Sequence, residues 1–170
     1  VAAPFIARTD GDGVQSVSNA TLLTADLDAS ALTASVQYDT IQIGKTVIID
    51  QEHMLLTDRG TTLTFAARGA DSTTAAAHLL GSRVREQAGN TILSHTFDGA
   101  TWLNQISVGA DVEFMYAVEV DGVRSRPRLL STSLLLHDDF PLPRYKPAAG
   151  VVIKVVAWTW VTGNIWAELS

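Results

Sequence analysis

At 170 residues the chain matches one average domain or two small ones. Hydrophobic residues make up 46% and charged residues only 18%, too apolar for a disordered chain, and the absence of cysteine excludes disulfides, zinc-thiolate sites and thiol nucleophiles. The net charge of −6 is shared evenly, six basic and nine acidic residues in each of 1–85 and 86–170, so neither half carries a nucleic-acid footprint.

Residues 1–19 are small and polar around Thr9-Asp10-Gly11-Asp12-Gly13, and read as an arm of low intrinsic order. Residues 20–86 then alternate short β-like runs with turns. Ser35 to Tyr38 is a weak strand; Thr46 to Asp50, His53 to Thr57 and Thr62 to Ala66 are stronger ones, the last two separated by turn chemistry at Asp58 to Thr61. Arg68 to Ser72 reads as a further turn. Thr73 to Leu80 is expected as one short helix, with Thr73 as its cap, Ala75 to Ala77 favouring it and Gly81 ending it.

Residues 87–170 read as a second β unit. Val112, Phe114, Tyr116, Val118 and Val120 recur at every second position, the period of a strand with one buried face. Asp121-Gly122 is a two-residue hairpin turn that pairs Val120 with Val123 and Glu119 with Arg124. Pro127 confines the returning strand to an edge or ends it early. Pro141, Pro143 and Pro147 mark an extended crossover. Val151 to Thr162 and Ile165 to Leu169 are then expected to close a hairpin at Gly163-Asn164, with Val161 opposite Trp166 and Trp160 opposite Ala167. The expected fold class is all-β: a small barrel or sandwich with one short helix (20–86), followed by an antiparallel sandwich-like unit (87–170). No run of about 18 apolar residues suggests membrane insertion, and Val1 to Arg8 lack the form of a signal peptide.

Motifs for chemistry are weak throughout. No Gly-x-Ser-x-Gly elbow is present. His137-Asp138-Asp139 offers three ligand types in a row, but neighbours on an extended chain face opposite ways. Asp10-Gly11-Asp12-Gly13 lacks the remaining ligands and closing Glu of a calcium loop. Paired carboxylates such as Asp138-Asp139 and Asp10/Asp12 say nothing about spacing in space. Gly44-Lys45-Thr46 has only the tail of a phosphate loop. Arg124, Arg126 and Arg128 alternate along one strand face and read as a solvated edge. No catalytic residue, metal site or cofactor is therefore assigned. Trp158 and Trp160 share a strand face, and with Trp166 form a face suited to core packing, a subunit interface or sugar stacking.

One stretch, Thr21 to Val84, carries a longer pattern. An Ala/Ser/Thr-rich leader (Leu22 to Val36) precedes Ile49-Asp50, Glu52, Met54, Asp58 to Gly60, Leu63-Thr64, Arg68-Gly69, Thr74 to His78 and Gly81 to Val84. In order and spacing this resembles a small β domain of phage tail and other virion proteins. That domain is commonly described as similar to the first catalytic-cysteine half-domain of the ubiquitin-activating enzyme. The sequence departs from the pattern at Ser72, where Gly is frequent, and at Ala66-Ala67, where Val-Thr precedes Arg. The resemblance implies no activity, and a physical reading of the motif is scaffolding: Glu52 pairs with Arg68 across the sheet, Gly69 supplies a turn and His78 donates to a backbone carbonyl, with Gly81 in the same structural motif. A weaker reading makes His78 a catalytic base with Glu52 as its partner.

The resemblance further implies a non-enzymatic virion protein assembled in the host cytoplasm, placed in the tail, baseplate or a fibre. Its partners would be copies of itself and other virion proteins. The alternatives are a capsid decoration or head-fibre protein, and a receptor-recognition module that binds host surface glycan through Trp158 and Trp160.

Overall fold

A computed structural model describes residues 7–9, 15–16, 20–41, 46–130, 137–160 and 163–170. These residues form an all-β structure with no helix. In chain order the strands are β1 (Ala7–Thr9), β2 (Gln15–Ser16), β3 (Ala20–Leu22), β4 (Thr33–Ser35), β5 (Thr46–Ile49), β6 (Glu52–Asp58), β7 (Thr62–Ala70) and β8 (Arg83–Glu86). They continue as β9 (Asn90–Thr96), β10 (Ile106–Ala110), β11 (Phe114–Val120), β12 (Val123–Arg124), β13 (Arg128–Leu130), β14 (His137–Phe140), β15 (Val152–Thr159) and β16 (Gly163–Leu169). The chain divides into two units, Ser18–Gly89 and Val1–Val17 with Asn90–Ser170. The described part of the expected arm, β1 and β2, pairs with β16 and so belongs to the second of these.

In Ser18–Gly89 six strands run in the order β3-β8-β5-β6-β7-β4. Alternation supplies the inward face: Val47 and Ile49, Met54 and Leu56, Leu63 and Phe65 all bury their side chains in one core. The sheet curls until its two edges meet. Beyond β3 and β4, Leu23 and Val36 form a bridge, flanked by Thr24 N–H donating to Ser35 O and Gln37 N–H to Leu22 O. Closure of this kind removes the open edges that invite unwanted strand pairing.

The short helix expected over 73–80 does not form. Its backbone is spent on distant partners: Ala76 N–H donates to the Glu52 carboxylate, and His78 exchanges both backbone hydrogen bonds with Leu27. Bonds of this range outweigh the local preference of three alanines, which is worth only tenths of a kcal/mol per residue, about 0.7 at most.

The other unit is a sandwich. One sheet runs β1-β16-β10-β14, with β2 also on β16; the other runs β12-β11-β15-β9, with β13 also on β11. Both contribute to one core, Ile106, Val108, Ile165, Ala167 and Leu169 from the first sheet and Phe114, Tyr116, Val118, Ile153 and Val155 from the second. The Asp121-Gly122 hairpin forms in the expected register, Val120↔Val123 and Glu119↔Arg124, with both turn residues at positive φ. Past Pro127 the chain re-pairs with β11 as β13. Arg124 and Arg128 thus lie on separate strands. Arg124 binds Glu119 and Arg128 binds Asp138, so the expected single arginine face is absent.

The expected C-terminal hairpin is also absent. β15 pairs with β11 and β9, whereas β16 pairs with β10 and β1 in the opposite sheet, where Trp166 faces Gly109 and Ala167 faces Val108. Gly163 begins a strand. A Cβ there would lie 2.3 Å from the Val112 side chain, so close packing, not a turn, requires the glycine.

Asp138 ties the two sheets together from edge strand β14. The buried Tyr116 hydroxyl donates to Asp138 Oδ2 at 2.6 Å, and Arg128 Nε donates to the same oxygen at 2.6 Å. Burial would raise the Asp138 carboxyl, but hydrogen bonds from Arg128 and Tyr116 hold it below the usual range. Burial and the Asp138 carboxylate together push the Tyr116 phenol up. Tyr116→Phe removes one donor and leaves Arg128 in place, so it should lower unfolding free energy by about 1–2 kcal/mol in urea titration.

Candidate functional site

Glu52 opens β6 on its inward face, two residues before Met54 and four before Leu56. Strand geometry therefore carries a carboxylate into an apolar interior, where it must be fully bonded to persist. Arg68 reaches the same place through an irregularity. Phe65 and Arg68 are three apart and would face opposite sides of a regular strand. The β6–β7 register slips between Leu56↔Phe65 and Leu55↔Ala67, and the extra residue returns Arg68 to the interior.

The pair is bidentate. Arg68 Nε donates to Glu52 Oε1 at 2.7 Å and Nη2 to Oε2 at 2.9 Å, with side chains only 5% and 1% exposed. The remaining guanidinium N–H groups donate to three carbonyls at 2.7 Å: Nη1 to Asp28 O and Ala31 O, Nη2 to Ala76 O. All five donors are thus used. Glu52 is equally engaged, accepting also from Gly69 N–H, Ala76 N–H and His78 Nε2. Burial alone would raise the Glu52 carboxyl; the donors from Arg68, Ala76, His78 and Gly69 reverse that and hold it at about 2.

His78 completes the cluster from the opposite side. Its Nε2 lies 2.8 Å from Glu52 Oε2 and its Nδ1 2.6 Å from Asp50 Oδ2. The expected bond to a backbone carbonyl is thus replaced by two bonds to carboxylates. Arg68 sets a fixed positive charge against the buried Glu52 carboxylate. Asp50 sits at the β5–β6 turn with φ 54°, and Gly69 has φ 61° with Ala75 N and Thr73 O about 3 Å from where a Cβ would stand.

Beside the cluster a cleft of about 590 Å³ is lined by Asp50, Gln51, Ser72, Thr73, Thr74 and His78, among others. The imidazole borders it but is 2% exposed, and both ring nitrogens face carboxylates. Thr73 is committed too, accepting from His53 N–H and donating to Ala70 O. The arrangement locks three loops to one sheet.

Among the other positions singled out in the sequence, Gly81 forms a turn from Leu79 to Ser82 with φ 83°; a Cβ there would touch nothing, so its conformation alone calls for glycine. Trp158 lies on β15 and Trp160 one residue past its end; they are 0% and 6% exposed, and Arg124 covers Trp158 at 5.5 Å, so they offer no open platform for a sugar. Trp166 stands apart, on β16 in the other sheet, with its ring against His137. Among the described residues no group of three metal-ligating side chains occurs. His137 and Asp139 share one face of β14 while Asp138 turns to Tyr116. Asp10 to Gly13 and Gly44-Lys45 lie outside the described residues. The sequence reading missed Asp50 as the second partner of His78, although Ile49-Asp50 stood in the pattern, and missed the Tyr116–Asp138–Arg128 link.

Comparisons with family models, curated proteins and solved structures found no match.

Glu52→Gln should cost about 3–5 kcal/mol in chemical denaturation, because it leaves a buried guanidinium without its counter-charge. Acid should act through the same group. The Glu52 carboxyl is lowered from 4.5 to about 2, so its contribution is complete above pH 4.5 and lost as pH falls through about 2. The loss amounts to about 3 kcal/mol. Urea midpoints measured from pH 7 to pH 2 should fall over that window, and the fall should be shallower in Glu52→Gln.

Proposed function

We propose that this chain is a non-enzymatic structural subunit of a bacteriophage particle, placed in the tail, baseplate or a fibre and working through contacts with copies of itself and other virion proteins. The observation that carries this reading is the saturation of the Glu52–Arg68–His78 cluster. These residues are among those that carry the resemblance to the virion β domain, and their side chains are spent on one another, on Asp50 and on holding Asp28, Ala31, Gly69 and Ala76 in place. A group so committed gives shape and has no capacity left for turnover.

The surface beside the cluster suits subunit contact. Immediately after His78, Leu79 and Leu80 are 72% and 64% exposed. Their turn is fixed by Ser82 N–H donating to Leu79 O and Leu80 N–H to Asp26 Oδ1. Apolar side chains presented on a pinned backbone lose little entropy on docking. No helix among the described residues is long and apolar enough to cross a membrane.

Mass spectrometry and immunolabelling of purified particles test the reading directly. The protein should be present at a fixed stoichiometry and labelled at one location; its presence in infected cytosol but never in particles would reject the proposal. Replacing Leu79 and Leu80 by serine should leave the thermal midpoint within about 2 °C of the parent, as surface changes do, while lowering incorporation into particles.

A further inference from the structure

The outer face of the β1-β16-β10-β14 sheet carries two cross-strand rows. In the first, Trp166 of β16 and His137 of β14 both lie opposite Gly109 of β10. In the second, Glu168 and Asp139 both lie opposite Ser107. All six positions share one face, because each row is two residues from the other along its strand. The two sets do different work. Trp166 and His137 make an aromatic strip, with ring centroids 5.4 Å apart and a 32° tilt. Ser107 and Asp139 are joined by a 2.8 Å hydrogen bond to Asp139 Oδ1.

Gly109 is what allows the strip. A Cβ at this position would stand 2.3 Å from two carbons of the Trp166 ring. The missing side chain lets the indole lie across β10 and reach His137 two strands away. The face is open at its β14 side, where His137 and Asp139 are 47% and 51% exposed.

We propose that this face binds saccharide. Trp166 and His137 stack on the apolar C–H face of a pyranose ring, and Asp139 accepts hydrogen bonds from its hydroxyl groups. An aromatic surface beside carboxylate acceptors complements a ring with C–H groups on one side and O–H donors at its rim. The same carboxylates repel phosphate, and charged residues of this sign are depleted at the centres of protein interfaces. The proposal is independent of the virion reading, which rests on the other unit.

Saturation-transfer NMR on the whole chain tests it, using methyl pyranosides of glucose, galactose, mannose and N-acetylglucosamine, with choline chloride as a cationic control. At least one pyranoside should receive saturation on the C–H protons of one ring face. Trp166→Ala and Gly109→Val should abolish the transfer. Asp139→Asn should weaken binding about tenfold, as expected for a hydrogen bond to a charged acceptor. If Trp166→Ala does not fold, Asp139→Asn and Trp166→Phe decide, the latter retaining part of the signal. No transfer to any of these pyranosides, transfer to choline alone, or transfer unchanged in the folded variants would overturn the proposal.

Discussion

A carboxylate inside an apolar barrel is the constraint around which Ser18–Gly89 is organised. Glu52 occupies an inward position of β6 by strand alternation alone, and a charge there is tolerable only with a full set of donors. Arg68 supplies charge, the His78 ring adds a side-chain contact, and Gly69 and Ala76 supply backbone N–H groups. Each donor comes from a segment that would otherwise have little reason to take its observed path. The slipped register of β7, the left-handed Gly69 and the extended run before His78 all follow from bringing these groups to one carboxylate. Such a cluster contributes less to net stability than an apolar core of equal volume would; its effect is to penalise every arrangement that leaves a partner out.

The sandwich unit meets a related problem with weaker means. Asp138 is half-way between edge and core, and its side-chain donors come from two residues, Tyr116 and Arg128. Its neighbours in sequence, His137 and Asp139, face away and belong to the outer surface. One four-residue strand thus serves a buried link between sheets and an exposed polar row through the two-residue period of its side chains.

The parts legible in the sequence are those set by local rules. The alternation of Phe114 to Val118, the Asp121-Gly122 turn with its Glu119–Arg124 pair, and the run from Thr46 to Ala66 are read from neighbours only, and they form as read. Where the reading failed, a distant partner had intervened. Thr73 to Leu80 has the composition of a helix, but its backbone is claimed by Glu52, Arg68 and Leu27. Gly163 looks like a turn residue and is a packing residue beneath Val112. Trp158 and Trp160 were expected on one strand face, but β15 ends at Thr159, and no local rule states whether such side chains are covered. The Glu52–Arg68 pair was anticipated from the residues of the motif; the register slip that allows it has no signature in composition.

The strands β3 and β8 that begin and end Ser18–Gly89 are paired neighbours, with Ala20 opposite Arg85. The polypeptide thus enters and leaves this barrel at adjacent points, while Val1–Val17 and Asn90–Ser170 build the sandwich from both flanks of the interruption. An insert with neighbouring ends makes little demand on its host beyond a single gap in one connection. Each core is built from residues of its own unit alone, so a change in the packing of one leaves the other's interior as it was.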